Sequence, residues 1–444
     1  MRHRVLRAPL GRWVDPAAAY AAVCGNSDEA FWLDSGPDAT TGTSYLGLAS
    51  AVTTEFDGPV LDWLRAATDD GADADAALGY VGWLGYELRA ETMGVDVAHG
   101  SRYPEAAWLR VERALAFDHA TRTVTLLAIG DAGLDEFEKW RTIVERALQA
   151  AEPVSATDDD DAPPLVATWA YSDDEYLAMI AECQRAITEG DAYQLCLTTE
   201  ASVAVSPDPV ATYLRLRQSS PTHHGALIRA GAVSLLSASP EQFLSVSPDG
   251  VVTTSPIKGT RPRGSTEARD WLERSELEGS AKERAENVMI VDLMRNDLAR
   301  VSLAGSVEVT SLLAVESYAQ VHQLVSTVRG ILRPGLTGID AIAACFPAGS
   351  MTGAPKFSAA RILERLENRA RGVYSGAFGY LGFDGSVDLA MVIRSIVIDP
   401  AGSTVGTGGG ITALSVPGDE LAEAKLKAAA LLAVLGASPP RGRG

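Results

Sequence analysis

Strand signals in this chain occur in groups, and this grouping limits the folds it can adopt. Side chains and spacing typical of strands recur in several segments, namely 193–205, 232–237, 242–247, 251–254, 373–383 and 390–398. Patterns typical of long helices lie between or after these groups, at about 266–295, 356–370 and 418–435. Irregular alternation of helices with clusters of adjacent strands favours an α+β fold over a doubly wound parallel sheet.

An acidic, proline-containing segment divides the chain at about one third of its length. Residues 151–166 include four consecutive aspartates and a pair of prolines, a composition that buries little apolar surface. We predict an exposed linker between an N-terminal region, 1–150, and a longer region, 167–437. The Pro-, Gly- and Arg-rich tail at 438–444 is predicted to be disordered.

Charge and cysteine content exclude several classes of partner. The formal net charge is -20, from 38 basic and 58 acidic side chains, and it opposes binding to nucleic acid or anionic lipid. The four cysteines show no Cys-x-x-Cys spacing, so we predict neither a zinc site nor a disulfide framework, and a reducing cytoplasm fits best. No stretch reaches transmembrane length. We therefore expect no nucleic acid and no membrane partner.

Two pairs of glutamates stand three residues apart in predicted helices. Glu283 and Glu286 share one helix face, and Glu420 and Glu423 share another, with Lys427 one turn further along. A single such pair is typical of a solvated helix edge. If the two helices face each other, four carboxylates converge and require a cation. Mg²⁺ suits such a site because it takes few protein carboxylates and fills its other positions with water and an anionic substrate.

Two glycine-containing segments and one lysine could contact an anion. Three consecutive glycines in 406–411 (GTGGGI) let backbone amides approach a ligand, although a plain turn is the commoner explanation. Residues 349–356 (GSMTGAPK) lead into a predicted helix with Gly and Pro near its start. Lys258 stands between Pro256 and Gly259, where its amine could be held against a ligand, although most such lysines lie in surface turns.

These segments, taken in order, resemble the chorismate-utilising enzymes. The matching blocks are SPEQF (239–243), PIKGTRPRG (256–264), ERAENVMIVDLMRNDLARV (283–301), VHQLVSTVRG (321–330), GSMTGAPK (349–356), YSGAFGYLG (374–382), AMVIRSIVI (390–398) and GTGGGI (406–411). FWLDS (31–35) and VGWLGYEL (81–88) resemble weaker front-end motifs of the same family. The resemblance implies an α+β fold, a large sandwich of two orthogonal β-sheets flanked by helices, to which both sides of the predicted linker contribute.

The resemblance also implies roles for individual residues. Glu283 and Glu420 would bind Mg²⁺, with Glu286 and Glu423 close by, and the metal would hold the ring carboxylate of chorismate. The expected substrate-binding residues are Arg394, Tyr374, Gly409 and Gly410 for the pyruvyl carboxylate, Thr260 and Thr352 beside the ring, and Gly259 and Lys427.

The expected catalytic residues are Lys258, Glu241 and His322. Isochorismate and salicylate synthases carry a lysine in place of Gln194 to activate water, and a glutamine cannot accept that proton at neutral pH. Anthranilate synthases carry alanine in place of Lys258. In the aminodeoxychorismate branch this lysine attacks C2 of the ring as the C4 hydroxyl leaves, and ammonia then attacks C4. Glu241 matches the general acid.

The resemblance therefore implies conversion of chorismate and ammonia to 4-amino-4-deoxychorismate, for 4-aminobenzoate and folate synthesis. No cysteine in the chain has a glutaminase-like nucleophile pattern, so a separate glutamine amidotransferase subunit is the expected ammonia source. An anthranilate synthase component I that tolerates a lysine is the alternative enzyme. A non-catalytic chorismate-binding subunit is the alternative from another class.

Overall fold

A computed structural model describes residues 3–69, 72–73, 78–130, 133–154, 165–318 and 321–438. The helices are α1 (Pro16–Val23), α2 (Val60–Thr68), α3 (Arg89–Met93), α4 (Leu134–Gln149), α5 (Asp173–Thr188), α6 (Pro209–Ser219), α7 (Glu267–Gly279), α8 (Ala281–Ala299), α9 (Gly338–Cys345), α10 (Lys356–Glu367) and α11 (Pro417–Val434). Short 3-10 helices lie at Tyr86–Leu88 and Gly349–Met351.

The strands cover both sides of the predicted linker. In chain order they are β1 (His3–Leu10), β2 (Glu29–Asp34), β3 (Thr43–Leu48), β4 (Ala51–Thr53), β5 (Ala72–Asp73), β6 (Gly79–Leu84), β7 (Ala106–Val111), β8 (Arg113–Asp118), β9 (Thr123–Ile129), β10 (Leu165–Val166), β11 (Thr168–Trp169), β12 (Gln194–Val203), β13 (His224–Ala230), β14 (Val233–Ser239), β15 (Gln242–Val246), β16 (Val251–Thr254), β17 (Ile257–Pro262), β18 (Glu308–Ser317), β19 (Val321–Ile331), β20 (Gly353–Ala354), β21 (Ala377–Gly382), β22 (Val387–Met391), β23 (Ser395–Asp399), β24 (Gly402–Ile411) and β25 (Ala437–Ser438).

Most of these strands belong to two large sheets. The longer sheet has the order β11-β12-β24-β23-β14-β13-β2-β3-β8-β9-β1-β5, with β20 also paired to β12. The shorter sheet has the order β17-β19-β16-β15-β22-β21-β6-β7-β4, with β18 also paired to β19. Phe31 and Ile228 of the longer sheet share an apolar cluster with Trp83 and Leu109 of the shorter one, so the sheets pack on each other. The predicted α+β class and its sandwich of two sheets are confirmed.

Strands from before and after the predicted linker pair in both sheets. β2 pairs with β13 in the longer sheet, and β6 pairs with β21 in the shorter one. Most of 151–166 and of 438–444 lies outside the described residues. The described ends of these two segments, β10 and β25, pair in parallel with each other. The domain boundaries drawn from composition stay a prediction.

Helix α5 begins at a capping box. The Ser172 hydroxyl accepts the Glu175 N–H at 3.3 Å, and the Glu175 carboxylate accepts the Ser172 N–H at 2.7 Å. The helix ends at Thr188, two residues before Gly190, whose φ of +88° continues the chain away from the helix. None of the helices within the described ranges combines the length and the apolar character needed to cross a bilayer.

The prediction of one helix over 266–295 is wrong, because α7 and α8 meet at a break. Ser280 closes α7 and caps α8 with an extended backbone, φ -67° and ψ 108°, and its hydroxyl accepts the Glu283 N–H at 3.4 Å. A serine hydroxyl competes with the continuous helical ladder by satisfying a first-turn amide. The restart places Glu283 in the first turn of α8, where the helix dipole favours a carboxylate.

The strand predicted at 390–398 is also divided. Its first part lies in β22 of the shorter sheet and its second part in β23 of the longer sheet, so the chain crosses between the sheets at 392–394. At this crossing Arg394 has a φ of +51°. Left-handed backbone is uncommon for a residue with a side chain, and such strain concentrates at functional sites. Sequence periodicity continued through this point because both parts are buried.

One buried arginine connects the segments around this crossing. The Arg371 side chain is only 1% exposed, and the centre of its guanidinium lies 4.2 Å from the centre of the Tyr86 ring. Its guanidinium donates to both carboxylate oxygens of Glu367 at 2.8 and 2.7 Å, to the carbonyls of Met351 at 2.7 Å and Cys196 at 2.9 Å, and to Ser375 Oγ at 3.3 Å. These bonds use every N–H of the guanidinium.

Two glutamates complete this connection. Glu367 also accepts the Thr198 N–H of β12 at 2.9 Å. Glu87, from the N-terminal region, accepts the backbone N–H groups of Arg371 and Gly372, each at 2.9 Å. The N-terminal region, β12 and α10 are therefore tied to one buried ionic network.

Replacing Arg371 with leucine should destabilise the protein by about 3–5 kcal/mol, because the Glu367 carboxylate would stay buried without its charge partner. Urea unfolding followed by tryptophan fluorescence measures this change in the free energy of unfolding. Arg185→Leu is the control, since Arg185 pairs with Glu182 and Glu189 on the same helix and its side chain is 62% exposed. Equal shifts in both variants would contradict the central role of Arg371.

Candidate active site

The two predicted glutamate pairs lie on helices that meet near their N-terminal ends. Lys282, in the first turn of α8, donates a hydrogen bond to Glu420 Oε1, in the first turn of α11, at 3.4 Å. The charges of Glu283 and Glu420 both raise the pKa of Glu286, although burial is the larger cause of that rise. Both helix N-termini favour negative charge at this meeting point.

Like Glu420, the glutamates Glu283 and Glu423 have basic partners of their own. Arg261 Nη1 lies 3.8 Å from Glu283 Oε1, and Lys427 Nζ lies 2.7 Å from Glu423 Oε1 on the same helix. Burial by itself would raise the pKa of Glu423, but the Lys427 charge and hydrogen bond outweigh it and lower that pKa. These two carboxylates are partly neutralised by the chain itself.

Glu420 and Glu286 are the more enclosed members of the group. The Ser415 hydroxyl donates to Glu420 Oε1 at 2.7 Å, and the Glu420 side chain is only 5% exposed. Glu286 Oε1 is buried and has no hydrogen-bond partner within the described part of the chain. A buried oxygen of this kind calls for an explanation, and a hard cation would supply one. Among the described residues, no group of three or more acidic, His or Cys side chains is already arranged to hold a metal ion.

Lys258 lies on a bulge in β17. Ile257 pairs with Val325 and Thr260 pairs with Gln323, so two residues of β17 stand opposite one of β19. Gly259 has a φ of +80°, and a β-carbon there would lie 2.7 Å from a methyl group of Leu277. A side chain at this position is therefore strained and crowded, which accounts for glycine. Bulges redirect neighbouring side chains and are common beside active sites.

The Lys258 charge acts on three acidic groups of the site. It favours a lower pKa for Glu241, Glu286 and Glu423, although burial, which favours a higher pKa, is the larger single influence on each of them. Thr260, two residues further along the strand, is exposed. The bulge thus places a lysine ammonium among three of the predicted site carboxylates.

Of the three carboxylates beside Lys258, Glu241 is the most enclosed, at 8% exposure. Burial raises its pKa, while the Lys258 charge and hydrogen bonds from the Ser350 hydroxyl and the Ile257 N–H oppose the rise. Because the net shift is upward, the protonated form extends to higher pH than for a free carboxyl group. A carboxyl group held in this way can act as a general acid.

The interpretation of GTGGGI as a turn is wrong, because these glycines lie inside β24, paired with β12. A β-carbon at Gly406 would overlap the Tyr374 ring, and one at Gly410 would overlap the side-chain amide of Gln194. A β-carbon at Gly409 would come within 3.1 Å of a Glu420 carboxylate oxygen. The glycines leave room for side chains of the site.

Gln194 and Lys427 flank this strand. The Gln194 side chain is buried, and its Oε1 has no hydrogen-bond partner among the described residues. Lys427 Nζ donates to the Gly408 carbonyl at 3.0 Å. An unpaired amide oxygen and an anchored ammonium thus lie on either side of the glycine strand.

Arg394 and Tyr374 lie near the acidic end of α11. The Arg394 side chain reaches solvent but has protein around it, and this desolvation lowers its pKa, while the Glu423 charge opposes the shift. Burial raises the pKa of the Tyr374 phenol, so it stays neutral. A guanidinium with no ion pair among the described side chains can bind a carboxylate.

His322 and Thr352 are engaged within the protein. His322 Nδ1 lies 2.8 Å from Ser317 Oγ, and Nε2 lies 3.0 Å from Asp270 Oδ1. The Thr352 hydroxyl donates to the Ala348 carbonyl at 3.0 Å. Both side chains are buried. Their contact with a substrate ring stays a prediction.

Sequence reasoning missed Lys282, Ser350 and Ser415. Lys282 stands four residues before Glu286, a helical spacing that could have indicated an ion pair on the acidic face. Ser350 contacts Glu241 only because distant segments come together, whereas Ser415 stands five residues before Glu420, just ahead of α11.

Residues 28–433 match the chorismate binding enzyme family. The chain belongs to the chorismate-binding enzyme family. Its predicted site residues all fall within the matched segment.

Several members of the chorismate-binding enzyme family are similar to this chain. It is 43% identical over 378 residues to an aminodeoxychorismate synthase of Streptomyces pristinaespiralis, covering 84% of this chain and 52% of that protein. It is 34% identical to anthranilate synthase component 1 of Streptomyces coelicolor, covering 94% and 86% of the two chains. A crystal structure of anthranilate synthase component I from Streptococcus pneumoniae matches with a TM-score of 0.75 and 28% identity, covering 97% and 92%. The chain thus spans about half the length of the first of these relatives.

Glu286→Gln and Glu423→Gln should change the stability of the fold in opposite directions in chelator-containing buffer, because the pKa values of the two glutamates are shifted in opposite directions. The pKa of Glu286 is raised in the folded state, so its ionisation weakens the fold as pH rises, and Glu286→Gln should be more stable than the parent at pH 7. The pKa of Glu423 is lowered, so Glu423→Gln should be less stable at pH 7.

The Glu286→Gln difference should shrink as the pH falls through the raised pKa of Glu286 and be lost below about 4.3, the pKa of an unperturbed Glu, whereas the Glu423→Gln difference should shrink only below that pH. Thermal unfolding across pH 3–8 measures them. Shifts of the same sign in both variants would contradict this electrostatic account.

Proposed function

We propose that this chain is the aminating part of an aminodeoxychorismate synthase, converting chorismate and ammonia to 4-amino-4-deoxychorismate. The observation that carries the proposal is Lys258, presented on a bulge close enough to Glu241 for its charge to oppose the burial that raises the Glu241 pKa. The similar Streptomyces pristinaespiralis protein of that name supports it. Gln194 also supports amination over hydration, because a neutral amide cannot deprotonate water.

The proposed reaction uses two nucleophiles in succession. The neutral Lys258 amine attacks C2 of the ring, both ring double bonds shift, and the C4 hydroxyl leaves as water with a proton from Glu241. Ammonia then attacks C4, both double bonds return, the lysine nitrogen leaves C2 with its electron pair, and the new ammonium group gives a proton back to Glu241. The raised pKa of Glu241 favours the protonated carboxyl group that the first step needs.

We propose that Glu283 and Glu420 hold a Mg²⁺ ion, with Glu286 and Glu423 beside them. The unpaired buried oxygen of Glu286 and the all-carboxylate donor set fit a hard divalent cation. When bound, the ion would supply positive charge for the ring carboxylate of chorismate.

The remaining substrate contacts come from the glycine strand and its neighbours. Arg394 and Tyr374, with the amides of Gly409 and Gly410, would hold the pyruvyl carboxylate. Gly259, Thr260, Thr352 and His322 would lie beside the ring, and Lys427 would support the acidic helix. Arg394 is suited to this role because its guanidinium has no carboxylate partner among the described residues.

The proposal extends to partners and pathway. A glutamine amidotransferase would supply the ammonia, and the product would lead to 4-aminobenzoate and folate. The cytoplasm is the proposed location, since all four cysteines are unpaired and buried.

Purified protein with chorismate, Mg²⁺ and ammonium should form 4-amino-4-deoxychorismate, detected as 4-aminobenzoate once an aminodeoxychorismate lyase is added. Lys258→Ala should open C2 to ammonia and shift the product toward 2-amino-2-deoxyisochorismate or anthranilate. Chromatography of the products before and after lyase addition separates these outcomes. Anthranilate from the parent protein without lyase would favour the anthranilate synthase alternative, which the Streptomyces coelicolor relative supports.

Glu420→Gln should weaken both the Mg²⁺ dependence and the binding of chorismate. The KM for chorismate should rise by about tenfold or more, because loss of one charge-assisted contact costs about 1.4 kcal/mol. Asp419→Asn is the matched control, because its side chain is on the same turn but exposed. Initial rates over a grid of Mg²⁺ and chorismate concentrations measure both effects. Parent-like rates at low Mg²⁺ in Glu420→Gln would contradict the metal role.

A further inference from the structure

We infer that Lys282 is an internal counter-ion of the acidic site, whose ammonium must leave Glu420 when a divalent cation binds there. The inference rests on the magnesium site proposed above. It adds a residue that competes with the metal for the same carboxylate. Metal affinity would then depend on how easily this lysine moves away.

The contact between the two helices gives the first reason. Lys282 Nζ lies 3.4 Å from Glu420 Oε1, and the same oxygen accepts the Ser415 hydroxyl. With two donors already on this oxygen, a cation approaching it meets an occupied position. A divalent ion and an ammonium on one oxygen would also repel each other strongly.

Exposure gives the second reason. The Lys282 side chain is 50% exposed, whereas Glu420 is 5% exposed. The lysine can therefore swing into water at small cost, while the carboxylate stays in place. Its bond to Glu420 is the one hydrogen bond recorded for its ammonium within the described residues.

Two other basic residues beside the four glutamates, Lys427 and Arg261, have contacts beyond their glutamate. Lys427 makes a 2.7 Å ion pair with Glu423 and also donates to the Gly408 carbonyl at 3.0 Å. Arg261 lies 3.8 Å from its glutamate, too far for a hydrogen bond, and donates instead to Glu276 at 3.3 Å. Of these three cations, Lys282 is the one that can leave its glutamate without breaking another contact.

The unpaired oxygen of Glu286 gives an independent indication. Lys282 is on the same helix, four residues before Glu286, and its charge lowers the Glu286 pKa against the effect of burial. Even so, the lysine bonds Glu420 and leaves Glu286 Oε1 without a partner. The ammonium has three N–H donors but bonds only one of these two carboxylates here, whereas a divalent ion with several coordination positions could bind both.

The test compares Mg²⁺ binding without substrate by isothermal titration calorimetry. Lys282→Gln should bind Mg²⁺ about two- to fivefold more tightly than the parent, the range expected for a partly exposed ion pair. Lys282→Arg keeps the charge and should restore weaker binding. Lys425→Gln is the matched control, because Lys425 pairs with Asp173 away from the four glutamates. It should bind as the parent does.

A second readout follows Lys282 itself in the unmodified chain. Reductive methylation, quantified by mass spectrometry of peptides, should label Lys282 faster at saturating Mg²⁺ than in chelator, with Lys425 unchanged. This measurement needs no substitution, so misfolding of a variant cannot obscure it.

The outcomes separate the two proposals. If the parent and Lys282→Gln bind Mg²⁺ with equal affinity, or if Mg²⁺ leaves Lys282 labelling unchanged, the counter-ion inference is overturned and the metal site stands. If neither protein binds Mg²⁺ at millimolar concentration, the metal site falls and the inference falls with it.

Discussion

The buried guanidinium of Arg371 holds together the segments that carry the active site. Its bonds reach α10 through Glu367, β12 through the Cys196 carbonyl, and the Gly349–Met351 turn. Glu87 connects the N-terminal region to the same network, because its carboxylate accepts the backbone N–H of Arg371. Because a buried ion pair tolerates loss of one partner poorly, these segments keep a fixed arrangement, and Tyr374 and Gln194 take their positions from it.

In the active site, acidic and basic side chains lie close together. Four glutamates at two helix N-termini face Lys258, Lys282, Lys427 and Arg261, and the pKa shifts follow this balance. Where a lysine lies close, as at Glu423, the pKa is lowered, and where burial prevails, as at Glu286 and Glu241, it is raised. A site with both kinds of carboxylate can hold a cation and donate a proton.

Local signals predicted parts of the fold well and failed where distant segments meet. A capping box at Ser172 marks the start of α5, and all of its atoms belong to neighbouring residues. The break at Ser280 and the crossing at Arg394 were missed, since helix and strand periodicities carried on through them. The glycines of 406–411 resembled a turn, and only the packing of Tyr374 and Gln194 against β24 explains them.

The sequence by itself determined the α+β class, the family resemblance and the identity of the candidate site residues, because residue type and spacing along the chain carry that information. The tertiary structure decided that α8 and α11 meet, that a bulge presents Lys258 among the carboxylates, and that Lys282 pairs with Glu420. These features depend on contacts between distant residues, such as Lys282 and Glu420, which stand 138 positions apart, and no local pattern encodes them. Whether two carboxylates repel, share a cation or hold a proton follows from distance and burial, and both come from packing.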